Sequence, residues 1–236
     1  MSRVAGADGC KAGWICVIRD LEDGGLEALL VEDANRLVTL ASNWDALAVD
    51  IPIGLTERGR RTCDDEARQV LGWPRRNSVF PAPVRSALSA RTREDASAIT
   101  SRADGRRVGV QSWNIYAKIR SMDDALQRAP TSVRQRIREV HPEVCFWAWQ
   151  GGAAMKHSKK RAEGRAARRR LVDRDYGNAA FDAVRGSFPK KHVADDDILD
   201  AFAALWTAER IARGAAKTLP ESPPTDAAVL TMEIVY

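Results

Sequence analysis

Two aspartates stand where apolar runs give out. Asp8 follows Val4-Ala5-Gly6-Ala7, and Asp50 follows Ala46-Leu47-Ala48-Val49. Each is an acid at the tip of an expected buried strand. Parallel, adjacent strands would present both carboxylates at one carboxyl edge of a sheet, where open α/β sheets tend to place ligands. Two close anions repel, and a hard divalent cation relieves that repulsion. Mg²⁺ takes one or two carboxylates together with water and substrate phosphate oxygens, so Mg²⁺ or Mn²⁺ is the expected cofactor. Either aspartate alone is better accounted for by a turn cap, for Asp8, or a backbone acceptor ahead of Pro52, for Asp50. Their matching depth favours a metal.

A further source of carboxylate is Asp195-Asp196-Asp197-Ile198-Leu199-Asp200. Acids in the first turn of a helix complement its dipole by about 0.3–1 kcal/mol each, which accounts for Asp195 to Asp197 without any function. Asp200 lies beyond that explanation. Spacings of three and four put Asp197 and Asp200 on one helix face with Ala201, Ala204 and Ala208, small residues that let a helix approach a sheet closely. Asp8, Asp50, Asp197 and Asp200 would then form an oxygen shell sufficient for two cations roughly 3.5–4 Å apart, the arrangement that clamps an in-line phosphoryl displacement.

The elements that must position these acids read as follows. Val4 to Ala7 and Gly13 to Arg19 are short apolar strands joined by the glycine-punctuated segment Asp8 to Gly13, and Leu26 to Val31 is a third strand after Gly24-Gly25. Asn35 to Ala41 is helical, and Ala46 to Ile51 is a buried strand stopped by Pro52. Polar helices over Asp64 to Leu71, Arg93 to Arg102 and Ser112 to Leu126 form an insertion over about 57–138. Val140 to Trp149 alternates in the manner of a strand, with Trp147 and Trp149 read as core. A basic helix spans Ser158 to Val172, a long helix Asp195 to Arg213, and a last strand Val229 to Tyr236, after a linker at Leu219 to Pro224.

The 236 residues, 44% hydrophobic and 29% charged, suit one packed domain over 1–236 and exclude global disorder. Four scattered cysteines, Cys10, Cys16, Cys63 and Cys145, form no disulfide or zinc pattern. With no secretory leader and no apolar run long enough to span a bilayer, the expectation is a cytoplasmic protein without membrane contact. A net charge of +5 allows a polyanionic partner. The charge is concentrated between Lys156 and Arg170, where eight basic residues meet the single acid Glu163. Lys156, Lys159, Lys160, Arg161, Arg165 and Arg168 are the expected phosphate contacts to nucleic acid, against the plainer reading of a solvated helix face. Arg75, Arg76, Arg85, Arg106 and Arg107 would extend the track, and Lys118 and Gln111 would reach over the site.

Several motifs in order carry a family resemblance: Gly6-Ala7-Asp8-Gly9-Cys10-Lys11-Ala12-Gly13-Trp14, Val49-Asp50-Ile51-Pro52-Ile53-Gly54-Leu55, and Cys63-Asp64 with Ala67-Arg68 leading to Ser78-Val79-Phe80. Gln111 to Ile119, His141-Pro142-Glu143-Val144, Lys159-Lys160 with Gly164 and Arg168, and Asp196 to Ala208 continue it. The chain resembles the domain of unknown function 429 family, predicted ribonuclease H-like nucleases. The resemblance implies a five-stranded mixed sheet of order 3-2-1-4-5 with flanking helices, to which this chain would add the helical insertion and an extra C-terminal strand. It also implies metal ligation by Asp8, Asp50 and Asp197 or Asp200, the last pair resembling the D-x-x-D of Holliday-junction resolvases. Glu143 is a further catalytic candidate, although a strand after His141-Pro142 departs from the helix on which that acid is usual. His141 is a candidate proton-transfer group, or a structural histidine before Pro142.

The expected function is therefore a divalent-metal-dependent nuclease acting on DNA or RNA. The alternative is a nucleic-acid-binding or partner-binding protein that keeps the fold without hydrolysis. An actin-like phosphotransferase would need a duplicated domain and a second phosphate loop, for which the chain is too short.

Overall fold

The computed structural model describes residues 2–236. Strand β1 (Arg3–Cys10) pairs antiparallel with β2 (Gly13–Asp20) from Arg3 opposite Asp20 to Cys10 opposite Gly13, leaving Lys11-Ala12 as the whole turn. Gly13 closes that turn at φ 133°, a conformation open to glycine. Both strands run further than the apolar residues alone indicate, so Asp8 lies inside β1 and not beyond it. The edge strand β3 (Leu26–Val31) pairs antiparallel with β2 and shows the alternating burial of a half-solvated strand. Helix α1 (Ala34–Leu40) starts where the Asp33 side chain accepts from the Arg36 amide at 2.8 Å.

Strand β4 (Ala46–Val49) then enters parallel to β1, in register from Val4–Ala46 to Ala7–Val49. The expected insertion consists of α2 (Thr62–Leu71), α3 (Arg93–Asp104), α4 (Val110–Asn114), α5 (Tyr116–Arg128) and the single turn α6 (Thr131–Arg134). The helix expected over Ser112 to Leu126 is thus two helices that meet at Ile115. After it comes β5 (Ile137–Glu139), parallel to β4. The sheet is mixed, five-stranded, and ordered β3-β2-β1-β4-β5.

The strand expected over Val140 to Trp149 is a correction. β5 ends before it, and residues 142–149 form α7 (Pro142–Trp149). Pro142 occupies the first helical turn, where its missing N–H costs nothing, and Glu143 follows at the positive end of the helix dipole. The helix imitates a strand in sequence because it is buried on most sides, with Pro142 to Phe146 and Trp149 all inaccessible. Trp149 is a core residue as expected, stacked on Phe146 and Trp206. The basic helix α8 runs over Ala162–Tyr176, followed by α9 (Ala180–Ser187), which has no counterpart in the sequence reading, and α10 (Asp195–Ala212). The extended C-terminal strand shrinks to β7 (Ile234–Val235), paired with β6 (Thr218–Leu219) from within the expected linker.

Period two along the sheet sorts the core into two layers. Val4, Ile15, Val17, Ala46 and Ala48 pack under α7, α8, α9 and α10, while Ala5, Ala7, Cys16, Leu47 and Val49 pack against α1 and α5. Helix α10 lies directly on β1. A Cβ on Gly6 would fall 2.0 Å from the Leu205 nitrogen and 2.3 Å from the Ala201 oxygen, so only glycine permits this approach. Among the described residues no helix is long and apolar enough to cross a membrane.

Candidate functional site

The two-layer sorting brings the acids together. Asp8 is two residues beyond Gly6 on the α10 side of β1, and Asp50 is two beyond Ala48 on β4. The Asp50 amide donates to the Ala7 oxygen at 3.0 Å, which carries the parallel ladder one residue past β4 and sets the two acids side by side. Their carboxyls lie within reach of each other, and that contact opposes the rise that burial imposes on Asp50. Asp200 comes from α10, buried to 1% exposure because Gly6, Ala201 and Ala204 let the helix close on the sheet. Glu143 arrives on the first turn of α7, near enough that its charge acts on Asp200.

Electrostatics record the crowding. Burial pushes the Asp8 carboxyl well above the usual carboxylate range, and the charges of Asp50 and Asp200 add to it. Asp50 is raised by burial against the opposing pull of His141 and Lys159. Burial takes Asp200 up to about 6 despite Lys159 beside it. Asp197 is raised by burial as well, but its Oδ2 accepts from the Ala194 amide at 2.8 Å, a local capping role. Asp195 pairs with Arg185 at 3.2 Å, and Asp196 lies 4.0 Å from Lys159.

The donor set fits a hard divalent ion: carboxylate oxygens in excess, with an imidazole at the side. Glu143 Oε1 accepts from Arg168 Nη2, but its buried Oε2 has no hydrogen-bond partner, and neither has the buried Nδ1 of His141. The other ring nitrogen of His141 lies 3.3 Å from the Ser78 oxygen, so the Asn77 to Pro83 loop abuts this corner. Asp8, Asp50, Glu143 and Asp200 are the residues that would hold the ion, with His141 beside Asp50. Among the described residues no three such side chains are already set at coordinating positions.

The sequence profile of the family described as Protein of unknown function (DUF429) matches residues 6–225, from within β1 to the segment before β7. The chain belongs to this family. No curated protein and no solved structure matches it.

The structure distributes the basic segment of this DUF429 member differently from a continuous phosphate track. Arg168 is fully buried, with Nη2 on Glu143 and Nη1 donating to the His157 oxygen at 3.1 Å, so it is a positioning residue and not a surface contact. Lys159 turns inward to Asp200. Lys156, Lys160, Arg161 and Arg165 remain exposed. Of the residues proposed to extend the track, Arg85 is held by Asp123 at 2.9 Å and by Asp226, and Arg106 by Asp104 at 2.8 Å. Lys118 reaches from α5 to the Gly13 oxygen at 2.7 Å and over the Trp14 ring, beside Gly9. Burial lowers its pKa, opposed by the charges of Asp8 and Asp197 among others.

One positioning group has no forerunner in the sequence reading. Arg61 forks onto both oxygens of Glu139 at 2.6 and 2.7 Å, and Glu139 accepts from the Ile53 amide at 2.6 Å. This ties the end of β5 to the turn that follows Asp50. Its signal was present as Arg61 preceding Cys63-Asp64, a buried pair only once β5 is beside β4.

Proposed function

We propose that this protein is a divalent-metal-dependent phosphodiesterase acting on nucleic acid, with a ribonuclease H-like arrangement of sheet and helices. The observation that carries the reading is the convergence of Asp8 from β1, Asp50 from the end of β4 and Asp200 from α10 at one sheet edge, beside the unpartnered Glu143 Oε2. Mg²⁺ or Mn²⁺ bound there would supply charge neutralisation and an activated water. Asp8, Asp50, Asp200 and Glu143 would hold that ion, and His141, beside Asp50, would take up a proton there. Lys156, Lys160, Arg161 and Arg165 lie exposed on the segment that carries Lys159, and supply charge suited to a phosphate backbone.

Asp50→Asn keeps the shape and removes the charge. In assays of wild type and variant on single-stranded, duplex and branched DNA and RNA with Mn²⁺, the variant falls to the metal-free background while its circular dichroism is unchanged. Equal cleavage by both proteins overturns the assignment. The second reading, a nucleic-acid or protein binder without hydrolysis, is favoured by one observation: Lys159 already neutralises Asp200 without any ion. Nucleic-acid binding that is indifferent to Mn²⁺ and to Asp50→Asn would support it.

A further inference from the structure

Lys159 was grouped by sequence with the exposed cations around it, yet its ammonium donates to Asp200 and stands 4.0 Å from Asp196. Its charge also acts on Asp8 and Asp50. The surroundings hold it there. At Gly164 a Cβ would lie 1.9 Å from the Ser158 oxygen, so the segment carrying Lys159 is seated directly on the first turns of α8. The carbonyls on either side are pinned: the buried Arg168 donates to His157 at 3.1 Å and Arg165 to Lys160 at 2.9 Å. The same Arg168 binds Glu143, so one side chain sets the positions of Lys159 and of the neighbouring acid. A lysine merely lying on a helix surface needs none of these supports.

Charge counting gives this placement a consequence. Asp8, Asp50 and Asp200 bring three carboxylates, and Lys159 supplies one positive charge among them. Glu143 keeps an oxygen without a partner. The remaining negative charge matches one divalent ion. A second divalent ion next to a fixed ammonium would be repelled by it, since like charges a few ångströms apart in a partly buried site are poorly screened. The side chain of Lys159 is 35% exposed, so it is open in part to a phosphate arriving from solvent, and its ammonium has donors beyond the one given to Asp200.

We propose that Lys159 permanently occupies one of the two cation positions of the corner, so that the site takes a single divalent ion and Lys159 supplies the second positive charge toward a substrate phosphate. This inference rests on the metal-dependent reading above and specifies its stoichiometry. Mn²⁺ titrations of wild type, Lys159→Met and Lys159→Arg, followed by calorimetry and by the electron paramagnetic resonance of free Mn²⁺, test it without reference to activity. Wild type and Lys159→Arg bind one Mn²⁺ per chain, and Lys159→Met, which keeps the length and loses the charge, binds one more. Thermal unfolding checks that each variant is folded. Two Mn²⁺ per wild-type chain, or the same non-zero number in wild type and Lys159→Met, overturns the role of Lys159 and leaves the metal site standing. No binding by any of the three overturns the metal site and this inference together. Should Lys159→Met fail to fold, the wild-type stoichiometry decides alone, one ion supporting the inference and two overturning it.

Discussion

Two clusters of buried charge in this molecule are built on opposite principles. Around Arg61, one guanidinium meets Asp64 and Glu139, and all four carboxylate oxygens have donors: Arg61 reaches each, the Ala82 amide adds to Asp64 at 3.2 Å and the Ile53 amide to Glu139 at 2.6 Å. Around Lys159, one ammonium donates to Asp200 and acts through its charge on Asp8 and Asp50, and the adjacent Glu143 leaves an oxygen without a partner. Burial costs a charge dearly unless it is paired and hydrogen-bonded. The first cluster meets that condition and acts as a clamp between β5 and the turn after Asp50. The second does not, and a bound cation would meet that condition there.

Breaking the clamp gives the largest effect. Glu139→Ala leaves Arg61 buried with only one of its two carboxylate partners and is expected to cost roughly 3–5 kcal/mol in denaturant unfolding. A loss below about 1 kcal/mol would erase the contrast between the two clusters. In the Lys159 corner the sign reverses. With a chelator present at pH 7, Asp8→Asn removes a charge that burial and two neighbouring acids disfavour, and stability is expected to rise by about 1 kcal/mol. A fall of that size would show that the corner is a satisfied structural network.

The smallest effect is a pH dependence. Asp200 titrates at about 6 in the folded chain against an ordinary value of 3.8. Between those values the folded state holds a proton that the unfolded state has released, so the associated stability is complete below about 4 and is lost as pH rises through about 6. Chelated wild type is expected to melt at a higher temperature at pH 5 than at pH 7, and Asp200→Asn to lack that part of the gain. With Mn²⁺ the trend opposes this, because metal ligands must be deprotonated. A chelated wild type whose melting point rises from pH 5 to 7 by the same amount as that of Asp200→Asn would contradict the assignment of strain to this acid.

Asp50 was legible because it closes an all-apolar run at the sheet edge, and Asp8 because it follows one, although β1 continues past it to Cys10. Asp200 was legible because the helix dipole does not reach it. Glu143 was placed on a strand in error: His141-Pro142-Glu143 is a helix start, and its proline and acid were outweighed by an alternation that a buried helix also shows. The roles of Lys159 and Arg168 were hidden, since in a run of eight cations nothing local separates the two that turn inward from those that face water. The signal was Gly164, a glycine in a helix, which marks a close backbone approach only when its neighbour is known.

By itself the sequence determined the meander of β1 to β3, the helix after it and the strand before Asp50, through the lengths and patterning of its apolar runs. The order of the sheet followed from the family resemblance, and β5 precedes the stretch expected for it. Periodicity is a property of the local chain, so local residues suffice to read it. Tertiary structure alone decided which charges meet. The Gly6 contact with Leu205 brings Asp200 to Asp8, the Gly164 contact with Ser158 brings Lys159 to Asp200, and Arg61 finds Glu139 across 78 residues of chain. Those pairings depend on how closely backbones far apart in sequence approach, which no spacing within a single element encodes.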